Sequence, residues 1–185
     1  MDPPVIFCAQ HCVQENNIAK YQVRLGHYVW EAGLCGEIQR IAKMPGYVKG
    51  EKNDFAIVVL HHISEKYHFM IEAIELATEA PALETEHELL GYGKTRPEAE
   101  NTRLAYGLTK LKNVFEELLY FEDKEIGGTQ RDSGGPIVDI HGKLVGVIVQ
   151  GQKNPKKPPV RTIGININDV NVRKFIKDNV PPKNV

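Results

Sequence analysis

The sequence predicts a mostly antiparallel β fold closed by one C-terminal α-helix, and three features carry that expectation. Short stretches of alternating or wholly apolar character recur between Gly, Pro and Asn turn signals, as at residues 21–26 and 38–42. The run Leu144-Val145-Gly146-Val147-Ile148-Val149 follows a Gly142-Lys143 turn and is rich in β-branched residues, which marks a buried strand. Val172, Phe175, Ile176 and Val180 fall at helical spacing behind Asp169, as in an amphipathic helix with its cap.

The elements follow in order from the N-terminus. Val5-Ile6-Phe7-Cys8-Ala9 is a short buried strand that runs into a loop at His11. Residues 21–26 alternate like a half-exposed strand, and residues 38–42 form another that Pro45-Gly46 stops. The loop 47–53 then delivers Asp54 to the mouth of the apolar strand Phe55-Ala56-Ile57-Val58-Val59-Leu60. Residues 69–76 fit either a strand or a short helix. The acidic stretch 79–88 reads as a solvated connection to the second half, where residues 89–95 and 104–112 read as strands. Asn113-Val114-Phe115-Glu116-Glu117-Leu118 reads as the start of a short helix capped by Asn113. Lys153, Lys156, Lys157 and Arg161 dot a Pro-rich stretch that suits a solvated loop or a basic exosite.

Composition excludes several function classes. The 185 residues are enough for one domain, or two half-domains sharing an interface. Hydrophobic content of 42% and charge of 25% are ordinary for a globular protein, and the net charge of −1 gives no field for nucleic acid or an anionic membrane. No apolar run reaches membrane-spanning length, and Met1-Asp2-Pro3-Pro4 lacks the basic start of a signal peptide, so the residues alone read as cytosolic. His61, His62 and His68 lack the spacing and the Cys or Glu companions of a zinc site. They read as loop residues, and neither a metal nor a cofactor is expected.

The chemistry gathers on Gly127-Gly128-Thr129-Gln130-Arg131-Asp132-Ser133-Gly134-Gly135-Pro136. A Ser between an acid and two glycines can be held out on a tight loop with backbone N–H groups converging beside it, as a nucleophile and its oxyanion hole require. A bare Ser-Gly-Gly also suits an ordinary hairpin loop. Two upstream motifs favour the chemical reading: Ala9-Gln10-His11-Cys12, and Asn53-Asp54-Phe55-Ala56. His, then Asp, then Ser is the chain order of one triad architecture and not of the others.

On these three motifs the chain resembles the trypsin/chymotrypsin family of serine endopeptidases, over roughly residues 5–180. The resemblance implies two antiparallel β-barrels of the six-stranded type with a C-terminal helix: residues 5–80 an incomplete first barrel, residues 88–180 the second barrel and helix. The family begins with a further segment, so the expectation is a fragment or an open first barrel. His11, Asp54 and Ser133 become the triad, and the N–H groups of Arg131 and Ser133 the oxyanion hole. The family has Gly where Arg131 stands, which implies steric strain there. Gly127 falls at the floor of the primary pocket, where trypsin-like members carry Asp, with walls near Gly151 and Pro159. Gln150 replaces a cleft Trp, and Val149 replaces a Ser that supports the triad Asp. Asp132 takes the place of the residue that pairs with a new N-terminal amine and orders the oxyanion loop. The partners implied are a polypeptide substrate and protein inhibitors, and the setting secreted. A catalytically weak or inactive relative that binds proteins through the same cleft is the alternative.

Cys8, Cys12 and Cys35 leave at least one thiol unpaired. The resemblance makes Cys12 a half-cystine whose partner lies upstream, and puts Thr129 where the family usually has Cys. A bridge from Cys8 to Cys12 would be strained if the chain between them is extended, so free buried thiols are expected.

Overall fold

A computed structural model describes residues 3–48, 52–93, 103–152 and 158–181. The first half is built on β1 (Val5–Cys8), β2 (Val23–Leu25), β3 (Leu34–Gly36), β4 (Ile38–Lys43) and β5 (Ala56–Leu60). β5 is buried along its whole length because it lies between β1 and β4, antiparallel to both, which explains its unbroken apolar sequence. β2 and β3 make a separate two-stranded sheet. The first half is therefore open, in two sheets.

The second half closes. It contains β6 (Glu86–Gly91), β7 (Ala105–Phe115), β8 (Leu118–Asp123), β9 (Pro136–Val138), β10 (Leu144–Gln150) and β11 (Val160–Asn166). They pair in the order β10-β11-β8-β7-β6-β9 as a closed barrel, which leaves this half without a free sheet edge. Leu111, Leu119, Phe121, Ile137, Val145 and Ile148 fill its interior. The helix α1 (Val170–Asn179) follows, with the Asp169 carboxylate accepting from the N–H groups of Asn171 and Val172 at its start. Val172 and Ile176 are its buried face, as the spacing predicts.

One apolar cluster joins the halves: Ala9, Phe55 and Ile57 from the first pack with Val147, Val149 and Ile165 from the barrel and with Val172 of α1. Phe55 sits at its centre, edge-on to Phe7 at 5.2 Å and to Phe175 at 6.1 Å between ring centroids. His11, two residues past Ala9, and Asp54 and Gln150, next to Phe55 and Val149, are thereby fixed along a common seam.

Two expectations are corrected. Residues 113–118 are not a helix: β7 runs through Asn113 to Phe115, turns at Glu116 and Glu117, and returns as β8. Glu116 takes a φ of 52°, which closes a tight hairpin, and the barrel's need for β8 overrides the local helical spacing. Residues 65–70 form a 3₁₀ turn, where the chain looked like loop and the start of a strand or helix. Lys153, Lys156 and Lys157 lie outside the described residues, so of the exosite expectation only Arg161 is described, and its Nε donates to Glu122 at 2.9 Å.

Candidate active site

His11 owes its position to a reversal after β1. Residues Gln10–Cys12 form a 3₁₀ turn closed by the Cys12 N–H to the Ala9 carbonyl (3.1 Å) and the Val13 N–H to that of Gln10 (3.0 Å). The turn brings His11 onto Asp54, which sits just before β5 with its side chain 2% exposed. Asn53 enters with a φ of 54°, a conformation Asn tolerates better than most residues. Its side chain donates to the Gly46 carbonyl (3.2 Å), and its backbone N–H donates across the seam to Glu117 Oε1 (2.9 Å). Both Asp54 oxygens are used on one residue: Oδ1 accepts the His11 backbone N–H at 2.9 Å, and Oδ2 lies 2.7 Å from ring Nδ1. With Nδ1 donating to the carboxylate, Nε2 is the basic nitrogen of the neutral ring. The Asp54 hydrogen bond, helped by the Cys12 side chain, outweighs burial and pushes the His11 pKa up to about 10.

Ser133 stands on the loop before β9, half-buried. Downstream it is tied to β10: the Gly134 N–H donates to the Ile148 carbonyl (2.7 Å), and the Ile148 N–H to that of Gly135 (2.8 Å). The loop presses on the His11 turn, since the face of Gly134 lies against Cys8 and Ala9, and the Cys12 thiol points at the Ser133 carbonyl (3.7 Å). Arg131 is exposed and takes a φ of 79°, the left-handed region, so the strain that an Arg in place of Gly implies is present.

A cavity of about 830 Å³ opens beside His11 and Asp54, with Val149, Gln150 and Gly151 on one wall and Tyr120 on another. Gly127, Ser133 and Pro159 lie outside its lining. The strip at Gly151 is in contact with the loop at Gly128: the Gln152 N–H donates to the Gly128 carbonyl at 2.9 Å, and a Cβ at Gly151 would overlap the Gly128 backbone. Gly127 faces Val160 and Thr162 on β11, and the Thr162 hydroxyl accepts the Gly128 N–H at 2.7 Å. Pro159 is exposed, and Val160, one residue on, faces Gly127.

The family model for Trypsin matches residues 1–176. The chain belongs to the trypsin family. It is 28% identical to trypsin zeta of Drosophila melanogaster and 29% identical to trypsin zeta of Drosophila erecta, each over 79% of this chain. It spans only 61% and 60% of those relatives' lengths. Its fold superposes on neuropsin, a serine protease expressed in the limbic system of mouse brain, with a TM-score of 0.79 at 19% identity, covering 98% of this chain and 86% of the other. The all-β architecture with one terminal helix is thus the trypsin fold.

Several details depart from what the trypsin-family motifs suggested. The chain between Cys8 and Cys12 is not extended: a 3₁₀ turn folds it back, and each thiol faces a backbone carbonyl, Cys8 that of Ala9 (3.1 Å) and Cys12 that of Ser133 (3.7 Å). All three cysteines are free, but Cys12 and Cys35 are exposed and Cys8 is only half-buried, so the expectation of buried thiols is corrected. The nearby Cys8 side chain, with His11 adding to it, pulls the Cys12 pKa down, while Cys12 and burial push Cys8 up. Asp132 turns its carboxylate away from the cavity, into the end of β6, where Gly93 and Thr129 bind it. His68 bonds the Ile63 carbonyl through its ring (3.0 Å), and His62 packs edge-on to it. No helix among the described residues is long and apolar enough to cross a membrane. Val160, Thr162 and Glu117 were beyond the reach of motif reading, because each acts through a strand pairing or a contact distant in sequence.

Proposed function

We propose that this chain is a serine endopeptidase, cleaving polypeptides through a His11–Asp54–Ser133 triad and an acyl-enzyme intermediate. The observation that carries the proposal is the double hydrogen bond of His11 to the buried Asp54, on a reversal whose Cys8, Ala9 and Cys12 meet the loop that bears Ser133. Ser133 Oγ attacks the scissile carbonyl as His11 Nε2 takes its proton. Asp54 holds the Nδ1–H tautomer and stabilises the imidazolium. The N–H groups of Arg131 and Ser133 receive the oxyanion. His11 then gives the proton to the leaving amine. Water attacks the acyl carbon by the same route in reverse, and the proton returns to Ser133. Gly127 offers no charge to a Lys or Arg side chain, and Val160 and Thr162 crowd it. We therefore assign cleavage after small uncharged residues, in a secreted setting where protein inhibitors can fill the same cleft.

A fluorophosphonate probe, which labels activated serines, tests the reading. The protein should be labelled, Ser133→Ala should not be, and His11→Ala should lose nearly all labelling, since a free Ser hydroxyl is a poor nucleophile at neutral pH. Labelling that survives in Ser133→Ala refutes the assignment. The second reading is a catalytically weak or inactive binding module of the same fold. That reading predicts no labelling of the wild-type protein.

A further inference from the structure

We propose that Thr129 is a positioning residue for the Arg131–Ser133 loop, acting through the Asp132 carboxylate; the inference rests on the reading of Ser133 as nucleophile. A carboxylate accepts and never donates, so its orientation is set by the donors around it. Among the described residues there are three around Asp132. The Gly93 N–H binds Oδ1 at 2.7 Å, the Thr129 N–H binds Oδ2 at 2.8 Å, and the Thr129 hydroxyl binds the same oxygen at 3.0 Å. Asp132 returns a bond from its own N–H to the Thr129 carbonyl at 3.2 Å, so residues 129–132 are closed in both directions. The slot that takes the carboxylate is lined by Gly91 and Gly93, and a Cβ at either would overlap it.

This clamp addresses a specific need. Arg131 lies between Thr129 and Asp132 at a φ of 79°, a conformation that persists only where the surroundings over-determine it. Downstream, Gly134 and Gly135 are bonded to Ile148 and fix that side of Ser133. Upstream, the bonds from Thr129 and Gly93 to Asp132 fix the other. The N–H groups of Arg131 and Ser133 flank Asp132 directly, so their directions follow from how that residue is held. Of these three donors among the described residues, the hydroxyl is the one that belongs to a side chain.

The test compares Thr129→Val, which keeps the shape and removes the hydroxyl, with Thr129→Ser, which restores the donor. Two quantities are measured on the full chain: deuterium exchange of the backbone amides in 127–135, and the rate of fluorophosphonate labelling. Thr129→Val should speed exchange and slow labelling, each by about tenfold, the size of one hydrogen bond to a charged group. Thr129→Ser should stay within about threefold of wild type in both. Should Thr129→Val fail to fold, Asp132→Asn, which turns an acceptor into a donor facing the clamp, should give the same loosening. Wild-type exchange in Thr129→Val, or a Thr129→Ser variant as loose as Thr129→Val, overturns the proposal. Absence of labelling in the wild type would instead sink the reading of Ser133, and the exchange comparison would still decide the clamp.

Discussion

Asp54→Asn is the most incisive perturbation of the His11 pair, because it changes chemistry and hardly any volume. The retained amide oxygen can still accept the His11 backbone N–H, which Asp54 Oδ1 accepts at 2.9 Å. The other terminal atom becomes an NH₂ group facing ring Nδ1, where the wild-type separation is 2.7 Å. An amide nitrogen donates, so Nδ1 must become the acceptor and the ring proton moves to Nε2. The neutral ring then presents an N–H where a base is needed. The carboxylate that holds the His11 pKa near about 10 is also gone, so that pKa should fall toward its ordinary 6.5. A triad with the wrong tautomer loses about 10⁴ in rate, equivalent to about 5 kcal/mol of barrier. The assay is the second-order rate of fluorophosphonate labelling, with an NMR titration of the His11 ring and a thermal melt to confirm the fold. Labelling within tenfold of wild type in a folded variant, or a His11 titration that does not move down, refutes the reasoning.

Three further predictions concern the His11 pair and the Gly127 pocket. Because Asp54 and Cys12 raise the His11 pKa to about 10, the ring is charged at neutral pH, and labelling should climb with pH and level off near that value; a flat profile between pH 6.5 and 10 contradicts this. The same raised pKa stabilises the fold fully below 6.5 and is lost as pH rises through about 10, so the melting temperature should decline across that window, and should do so less in Asp54→Asn. In a peptide library, cleavage after Gly or Ala should exceed cleavage after Arg or Lys by at least about tenfold, since a cation beside Gly127 and Val160 is left unpaired at a cost of several kcal/mol. Efficient cleavage after Arg or Lys refutes it.

Much of the fold was legible wherever one strand's own residues decide its fate. β5 and β10 are buried on both faces, so their β-branched runs announce them. The terminal helix was legible because capping and period coincide at Asp169 and Val172. β8 and β11 were not. Leu118 and Leu119 follow a stretch with helical spacing, and only the closure of the barrel, which pairs Leu118 with both Phe115 and Ile165, makes them strand. The candidate site divides in the same way. His11, Asp54 and Ser133 stand in motifs whose order was readable. The bonds from Thr129 and Gly93 to Asp132 depend on a loop meeting the end of β6, an apposition that no local pattern encodes.

The bond from Asn53 to Glu117 makes the β7–β8 hairpin part of the address of Asp54. Hairpin tips are ordinarily where a chain absorbs insertions, because their side chains face solvent and their length is unconstrained. This tip has a fixed reach. Its Glu117 carboxylate must arrive at one backbone N–H in the opposite half, one residue from the buried acid. Lengthening the turn at Glu116 would carry the acceptor away and free Asn53 from the left-handed conformation that aims Asp54 inward. The turn is thus a ruler between the two halves, and tags or grafted epitopes belong at other loops.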